Sequence, residues 1–261
     1  MAQVTDAEAL DSEWKSLYRV GGVAALIAGV FFRRNLAAEI GLFVKHPSPV
    51  TTSDWFALLQ SHRLLGLSYL HIFDLVNYAL VGLMFLALYA VLRRANRSHM
   101  AIATTLALVG IAAYFASNTA FSVLSLSDQY TAATTEAQRT TLLAAGQAML
   151  AINGFSDPGA HPGAGGYMSL LLIAVAGMIT SVVMLRSDVF NRAIAYVGIL
   201  ASALDLAYCI AYAFVPAVDS ELLAVCFIPA AGLFLMIWHI LIGRRLYRLG
   251  RLEGKALPQP S

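Results

Sequence analysis

The chain has 261 residues, of which 59% are apolar and only 12% charged, and its mean hydropathy is +0.71. A soluble domain carries about 25% charged residues, so this composition excludes a water-soluble globular protein. A net charge of +2 without a basic stripe also excludes nucleic acid as a partner. The lipid bilayer is the expected surroundings of the chain.

Residues 1–16 are acidic and lack the basic start of a cleaved signal peptide, and Thr5 with Glu8 fits a capping box. We expect an amphipathic segment there, a single membrane domain over residues 17–249, and a tail over residues 250–261. Six apolar runs are long enough to cross a bilayer, which takes about 20 residues. They are Leu17–Val44, His62–Leu92, Met100–Leu126, Tyr167–Leu185, Phe190–Pro216 and Leu222–Leu246. Runs this long predict an all-α bundle of six transmembrane helices, because barrel strands are short and alternating.

Basic residues gather on one side of the membrane if the six spans alternate in direction. That side holds 12 of the 17 lysines and arginines: Lys15, Arg19, Arg93, Arg94, Arg97, Arg186, Arg192, Arg244, Arg245, Arg248, Arg251 and Lys255. The positive-inside rule then predicts that both termini are cytoplasmic.

The second outer loop, residues 127–166, contains helix signals of its own. Thr135 and Gln138 match a capping box, and Asn153-Gly154 is a stop signal, so an amphipathic helix is predicted over residues 136–152 on the outer surface. A short helix is predicted to start at Ser53 and to carry Trp55 and Phe56. Both helices can act as interfacial anchors or as a mobile lid, and anchoring is the favoured interpretation.

Polar residues interrupt the first two spans at depths where charge is costly. The first span contains Arg33, Arg34 and Glu39. Its helix either ends near Phe32, with the two arginines reaching outward to the interface, or continues so that Arg34 and Glu39 face the interior of the bundle. In the second span, His71, Asp74 and Tyr78 share one helical face, with Asn77 beside it. A continuous helix from His62 puts Asp74 about 18 Å along, near the midplane.

The third, fifth and sixth spans also carry polar side chains. Asp205, Tyr208 and Tyr212 share one face of the fifth span, and Asn118 lies in the outer half of the third. His239 is expected at the cytoplasmic interface, outside any common site. We predict one polar pocket in the outer half of the membrane, with these members: Arg33, Arg34, Glu39, His71, Asp74, Asn77, Asn118, Asp205, Tyr208 and Tyr212.

Such a pocket suits acid/base chemistry, because carboxylates beside an arginine can hold a proton donor and an acceptor together. The first hypothesis is an enzyme acting on a lipid or isoprenoid-like substrate. Asp74, Asp205 and His71 are its catalytic candidates, and the other pocket residues bind substrate, with Arg33 or Arg34 on an anionic group. No HExxH, CxxC or paired-histidine spacing predicts a metal, and the sequence identifies no cofactor.

Two other function classes remain open at this point. Asp74 and Asp205 each lie in the middle span of a three-helix half, which is the geometry of an inverted-repeat carrier for small solutes or protons. A structural or sensory protein would use the same polar groups for packing alone. Gly21, Ala25 and Gly29 form a small-residue face that can pair helices within one chain or between two, so a homo-oligomer is compatible with it.

Four stretches of the sequence carry a family resemblance: LYRVGGVAALIAGV, DLVNYALVGLMFLALYAVLRR, SDVFNRAIAYVGILASALDL and IWHILIGRRLYRLGR. They resemble the bacterial multi-pass membrane proteins grouped as domain of unknown function 4386, from about Leu17 to Arg251. The resemblance implies a protein of the bacterial inner (plasma) membrane. It implies no activity, cofactor or catalytic residue.

Overall fold

The computed structural model describes residues 14–31, 49–153, 163–214 and 217–251, and these residues are almost entirely helical. In chain order the helices are α1 (14–31), α2 (Thr52–Ser61), α3 (Arg63–Tyr69), α4 (Ile72–Leu92), α5 (Arg97–Ser117), α6 (Ala120–Ala132), α7 (Glu136–Asn153), α8 (Ala164–Leu185), α9 (Arg192–Phe214) and α10 (Ala217–Arg251). No strand is present in the described ranges, so the all-α prediction is confirmed.

Among the described residues, five helical stretches are long and apolar enough to cross a membrane: Ile72–Leu92, Arg97–Ala132, Ala164–Leu185, Arg192–Phe214 and Pro229–Arg251. The chain is therefore a multi-pass membrane protein. Helix α1 is not among the five, and the predicted first span is described only as far as residue 31. A total of six spans thus stays a prediction.

The second predicted span, His62–Leu92, is not one helix. It divides into α3 and α4 at His71, the one non-glycine residue of the described chain with a positive φ, at 59°. This left-handed conformation costs about 1–2 kcal/mol in most residues. Leu70, just before the break, is fully buried against α2 and α6 side chains. The break allows Leu70 to be buried outside the bundle while α4 turns into the bundle. As a consequence, Asp74 lies in the first turn of α4 and not at the predicted midplane of a continuous helix.

The third predicted span, Met100–Leu126, is also divided. Helix α5 ends at Ser117, and Asn118 is extended at φ −70° and ψ 117°. The Asn118 side-chain oxygen accepts a hydrogen bond from the backbone N–H of Ala120 at 3.1 Å, and the Thr119 hydroxyl donates to the Met149 carbonyl of α7 at 2.9 Å. These side-chain bonds replace the helical ones and tie α7 to the junction.

Helix α1 lies against α4 and α10 through its glycines. A Cβ on Gly22 would lie only 2.6 Å from the Tyr247 backbone nitrogen, and one on Gly243 would lie 2.8 Å from the Gly22 carbonyl oxygen. The predicted small-residue face is used here as well: Gly29 packs on Ile240, and Ala25 is fully buried in the core. This face pairs helices within the chain, so the prediction of a homo-oligomer would need another surface.

Helices α2, α3, α6 and α7 form a second compact unit, which we call the cap. Its apolar core contains Trp55, Phe56, Leu59, Val123 and Leu150. The cap lies at the end of the bundle where α4 begins and α5 ends. Because Trp55 and Phe56 are buried within the protein, the prediction that they anchor the chain in the membrane interface is wrong.

Helix α2 begins with a capping box between Thr51 and Asp54. The Thr51 hydroxyl accepts from the Asp54 N–H at 3.2 Å, and the Asp54 carboxylate accepts from the Thr51 N–H at 3.0 Å. The Thr51 hydroxyl also donates to the Asp54 carboxylate at 2.6 Å. This bond, together with the one from the Thr51 N–H, lowers the pKa of Asp54. The stabilisation by the charged form is therefore present at neutral pH and is lost as the pH falls through that lowered pKa.

Candidate functional site

A cavity of about 130 Å³ lies inside the bundle, between α4, α8, α9 and α10. Phe85, Ile173 and Trp238 are among its apolar lining residues. Its polar lining consists of Asp74, Asn77, Tyr78, Ser202, Asp205 and His239. Three of the predicted pocket residues, Asp74, Asn77 and Asp205, therefore meet at one cavity, although α8 and α10 were not expected to contribute to it.

Asp74 lies at the end of the cavity nearest the cap. It is in the first turn of α4, where the backbone N–H groups and the helix dipole favour a negative charge. Its carboxylate accepts a hydrogen bond from the His71 ring at 2.9 Å and one from the Tyr114 hydroxyl of α5 at 3.4 Å. Asp74 is thus a hydrogen-bonded carboxylate, with its side chain 20% exposed, at the mouth of the cavity.

Asp205 lies deeper, in the fourteenth position of the 23-residue helix α9. It is 8% exposed, and no donor among the described residues bonds to its carboxylate. Ser202, one turn earlier, shares its face and lines the same cavity. A buried carboxylate without a donor is unusual, because buried polar groups are nearly always hydrogen-bonded.

Asn77 and Tyr78 form the wall of the cavity along α4. Asn77 is 4% exposed, and its buried side-chain oxygen has no hydrogen-bond partner in the described part of the chain. Tyr78 stacks on Tyr114 with ring centroids 4.2 Å apart. Since Tyr114 also donates to Asp74, α5 supports the mouth of the cavity without lining it.

His239 corrects the sequence analysis, which placed it at the interface and outside the site. It is 3% exposed and lines the cavity with the two aspartates. Its Nδ1 donates to the Leu235 carbonyl at 2.7 Å, which orients the ring. An ionisable residue at membrane depth is by default a candidate for function, and that signal in the sixth predicted span was sufficient to find it.

Four predicted site residues are described but do not line the cavity. His71 contacts it only through Asp74, and Asn118 caps α6. Tyr208 and Tyr212 pack with Tyr167 of α8 in an aromatic cluster, with centroids 5.4 and 6.2 Å apart for the successive pairs. The remaining three predicted site residues, Arg33, Arg34 and Glu39, are outside the part of the chain that the structure describes.

The described lining of the cavity is acidic. Its described lining has two carboxylates and one imidazole and neither lysine nor arginine. Among the residues that the structure describes, no three His, Cys, Asp or Glu side chains are grouped so that they could hold a metal ion. The carboxylates and the imidazole of the lining can exchange protons and can accept hydrogen bonds from a ligand.

Comparison with known proteins gives one match. The family model described as Domain of unknown function (DUF4386) matches residues 16–243. No curated protein and no solved structure matches the chain.

Proposed function

Because the chain belongs to the DUF4386 family, whose description names no activity, we propose its function from the cavity: proton-coupled transport of a small solute. The observation that carries this proposal is the meeting of Asp74, Asp205 and His239 at one cavity within the membrane-spanning helices. We also propose that both termini lie in the cytoplasm, from the distribution of basic residues, and that the membrane is the bacterial inner membrane, which the family resemblance implies.

The size of the cavity favours a small solute over a lipid. Pockets for drug-sized ligands measure about 300–1,000 Å³, and an apolar cavity of about 150 Å³ holds a molecule the size of benzene. A cavity of about 130 Å³ therefore suits a ligand of a few heavy atoms. The enzyme hypothesis, with a lipid or isoprenoid-like substrate, stays a prediction, and its anion-binding arginines lie outside the described residues.

The arrangement of the acidic groups supports proton coupling. Along α4, the cavity extends from Asp74 to Phe85, a rise of roughly 16 Å at 1.5 Å per residue. It leads from a hydrogen-bonded carboxylate at the helix end to the unpaired carboxylate of Asp205 in the depth of the bundle. Carboxylates and histidines in this setting are typical of proton relays in membrane transporters.

The proposal is tested in proteoliposomes that enclose a pH-sensitive dye. Guanidinium, methanesulfonate and erythritol are added in turn as small cationic, anionic and neutral solutes, none of which carries a proton across the bilayer by itself. We expect one of them to cause a change of internal pH that is lost in Asp205→Asn. The matched control is Asp188→Asn, which changes an aspartate outside the cavity. No pH change with any of the three solutes would contradict the proposal.

A further inference from the structure

We infer that the ligand of this cavity is a small organic cation with N–H groups, a protonated amine, which binds to Asp205 in exchange for a proton. This inference rests on the proposed function and names the chemical class of its solute. It starts from the unequal hydrogen bonding of the two aspartates, since Asp74 has donors from His71 and Tyr114 whereas Asp205 has none among the described residues.

The unpaired groups in the cavity include two acceptors. Asp205 is more than nine-tenths buried and lines the cavity, and the Asn77 side-chain oxygen is buried without a donor in the described chain. A buried acceptor left without a donor destabilises the protein, and more so when the acceptor is charged. The His239 Nδ1–H is already bonded to Leu235. A ligand that supplies N–H donors would therefore satisfy what the protein leaves unpaired.

The walls of the cavity also favour a positive charge. Tyr78, Phe85 and Trp238 line it, and the faces of aromatic rings attract cations electrostatically. No lysine or arginine is among the described lining residues, so nothing there neutralises a carboxylate of the ligand. An anionic ligand would meet two aspartates without a described basic partner.

Binding of the cation and binding of the proton exclude each other at Asp205. An unpaired carboxylate in a low-dielectric interior is costly unless one positive partner neutralises it. The titratable groups around it are Asp74 and Tyr78 of α4, Cys209 of α9 and His239 of α10, and α8 contributes none to the described lining. None of these groups is a permanent cation, so either a proton or the ammonium group of the ligand neutralises the Asp205 carboxylate. Exchange of one for the other couples the movement of the proton to the movement of the solute.

The inference is tested on the full chain purified in detergent, with propylammonium, 1-propanol and propionate as cationic, neutral and anionic probes of matched size. Binding is followed by the fluorescence of Trp238 after Trp14→Phe and Trp55→Phe, and proton release by a pH dye in weak buffer. We expect propylammonium to bind, to release protons, and to bind more weakly at lower pH. Its Kd should rise about tenfold or more in Asp205→Asn, because a charge-assisted hydrogen bond is lost.

Two variants separate the charge from the fold. Asp205→Glu keeps the carboxylate and should keep proton release, whereas Asp188→Asn should behave as the unmodified chain. Loss of binding in both Asp205 variants, with the helical circular dichroism of each intact, would overturn the role of the carboxylate.

The probes also distinguish failure of the cation inference from failure of the proposed function. If 1-propanol or propionate binds as tightly as propylammonium and no proton is released, the ligand is not a cation, while transport in the proteoliposomes can still be observed. If no probe binds, the inference is overturned, and the proposed function falls with it only when the proteoliposomes are also silent for all three solutes.

Discussion

The two aspartates of the cavity differ in the partners that surround them. Asp74 accepts hydrogen bonds from His71 and Tyr114 and lies at the positive end of the α4 dipole. Asp205 has neither a donor among the described residues nor a helix end beside it. We therefore expect Asp74 to contribute to the stability of the protein and Asp205 to contribute to its function.

Asp74→Asn is expected to lower the free energy of unfolding by about 0.5–2 kcal/mol, since it removes charged hydrogen bonds and a favourable dipole interaction. Asp205→Asn removes no hydrogen bond from a described donor, so its stability should remain within about 0.5 kcal/mol of the unmodified chain or rise. Thermal unfolding in detergent, followed by circular dichroism, measures both. A purely structural role for the cavity predicts instead that both variants lose stability, and that result would contradict the proposed function.

At the scale of elements, the contact between α1 and α10 depends on the absence of two Cβ atoms. The nearest neighbours of a Cβ on Gly22 are backbone atoms of Tyr247 and Gly243, which cannot rotate away as a side chain can. In lipid, such close approach supplies the van der Waals contact that drives helix association. The contact also supports the cavity, because Gly29 of α1 packs on α10 beside His239.

Gly22→Ala is expected to destabilise the protein by about 1–3 kcal/mol, because the two helices must move apart to make room for one methyl group. Gly232→Ala is the matched control within α10: a Cβ there meets nothing within 4 Å. The control should be neutral or gain up to about 1 kcal/mol from the better helix propensity of alanine. Equal melting temperatures for the two variants would show that α1 does not pack as described.

At the scale of the whole molecule, the described residues form two separate apolar cores. The larger lies among the spanning helices, and the smaller lies in the cap around Phe56 and Leu59. On the surface of the cap, Arg63 contacts Asp128 at 2.6 Å, but both side chains are about half exposed and the pair contributes little. The apolar core therefore contributes most of the stability of the cap, and we expect the cap to open independently of the bundle.

Leu59→Ala is expected to destabilise the cap by about 2–5 kcal/mol, since it leaves a void in a fully buried site. Leu64, which is 68% exposed, is the control, and Leu64→Ala should have an effect within about 0.5 kcal/mol. Hydrogen exchange should show faster exchange of α2 and α7 amides in Leu59→Ala, with α4 and α8 unchanged. Faster exchange throughout the bundle would mean that the two cores unfold as one.

Helix breaks were the part of the fold that the sequence did not reveal. The apolar runs predicted continuous helices through His71 and Asn118, and no glycine or proline stands at either position to signal a break. The breaks arise from distant contacts, since Leu70 is buried in the cap and Thr119 donates to the carbonyl of Met149. The break at His71 places Asp74 in the first turn of α4 instead of the middle of a long helix.

The sequence by itself determined the membrane class, the helical fold and the family, because all three follow from composition, the lengths of apolar runs and motifs along the chain. It also determined that Asp205 and Tyr208 lie on one side of their helix, since helical periodicity sets that. Only the tertiary structure decided which faces meet. In lipid, hydrophobicity does not choose between the faces of apolar helices, so close packing at residues such as Gly22 and Gly29 positions α1 against α10. That packing brings His239 to the two aspartates, a meeting that no pattern within a single helix can specify.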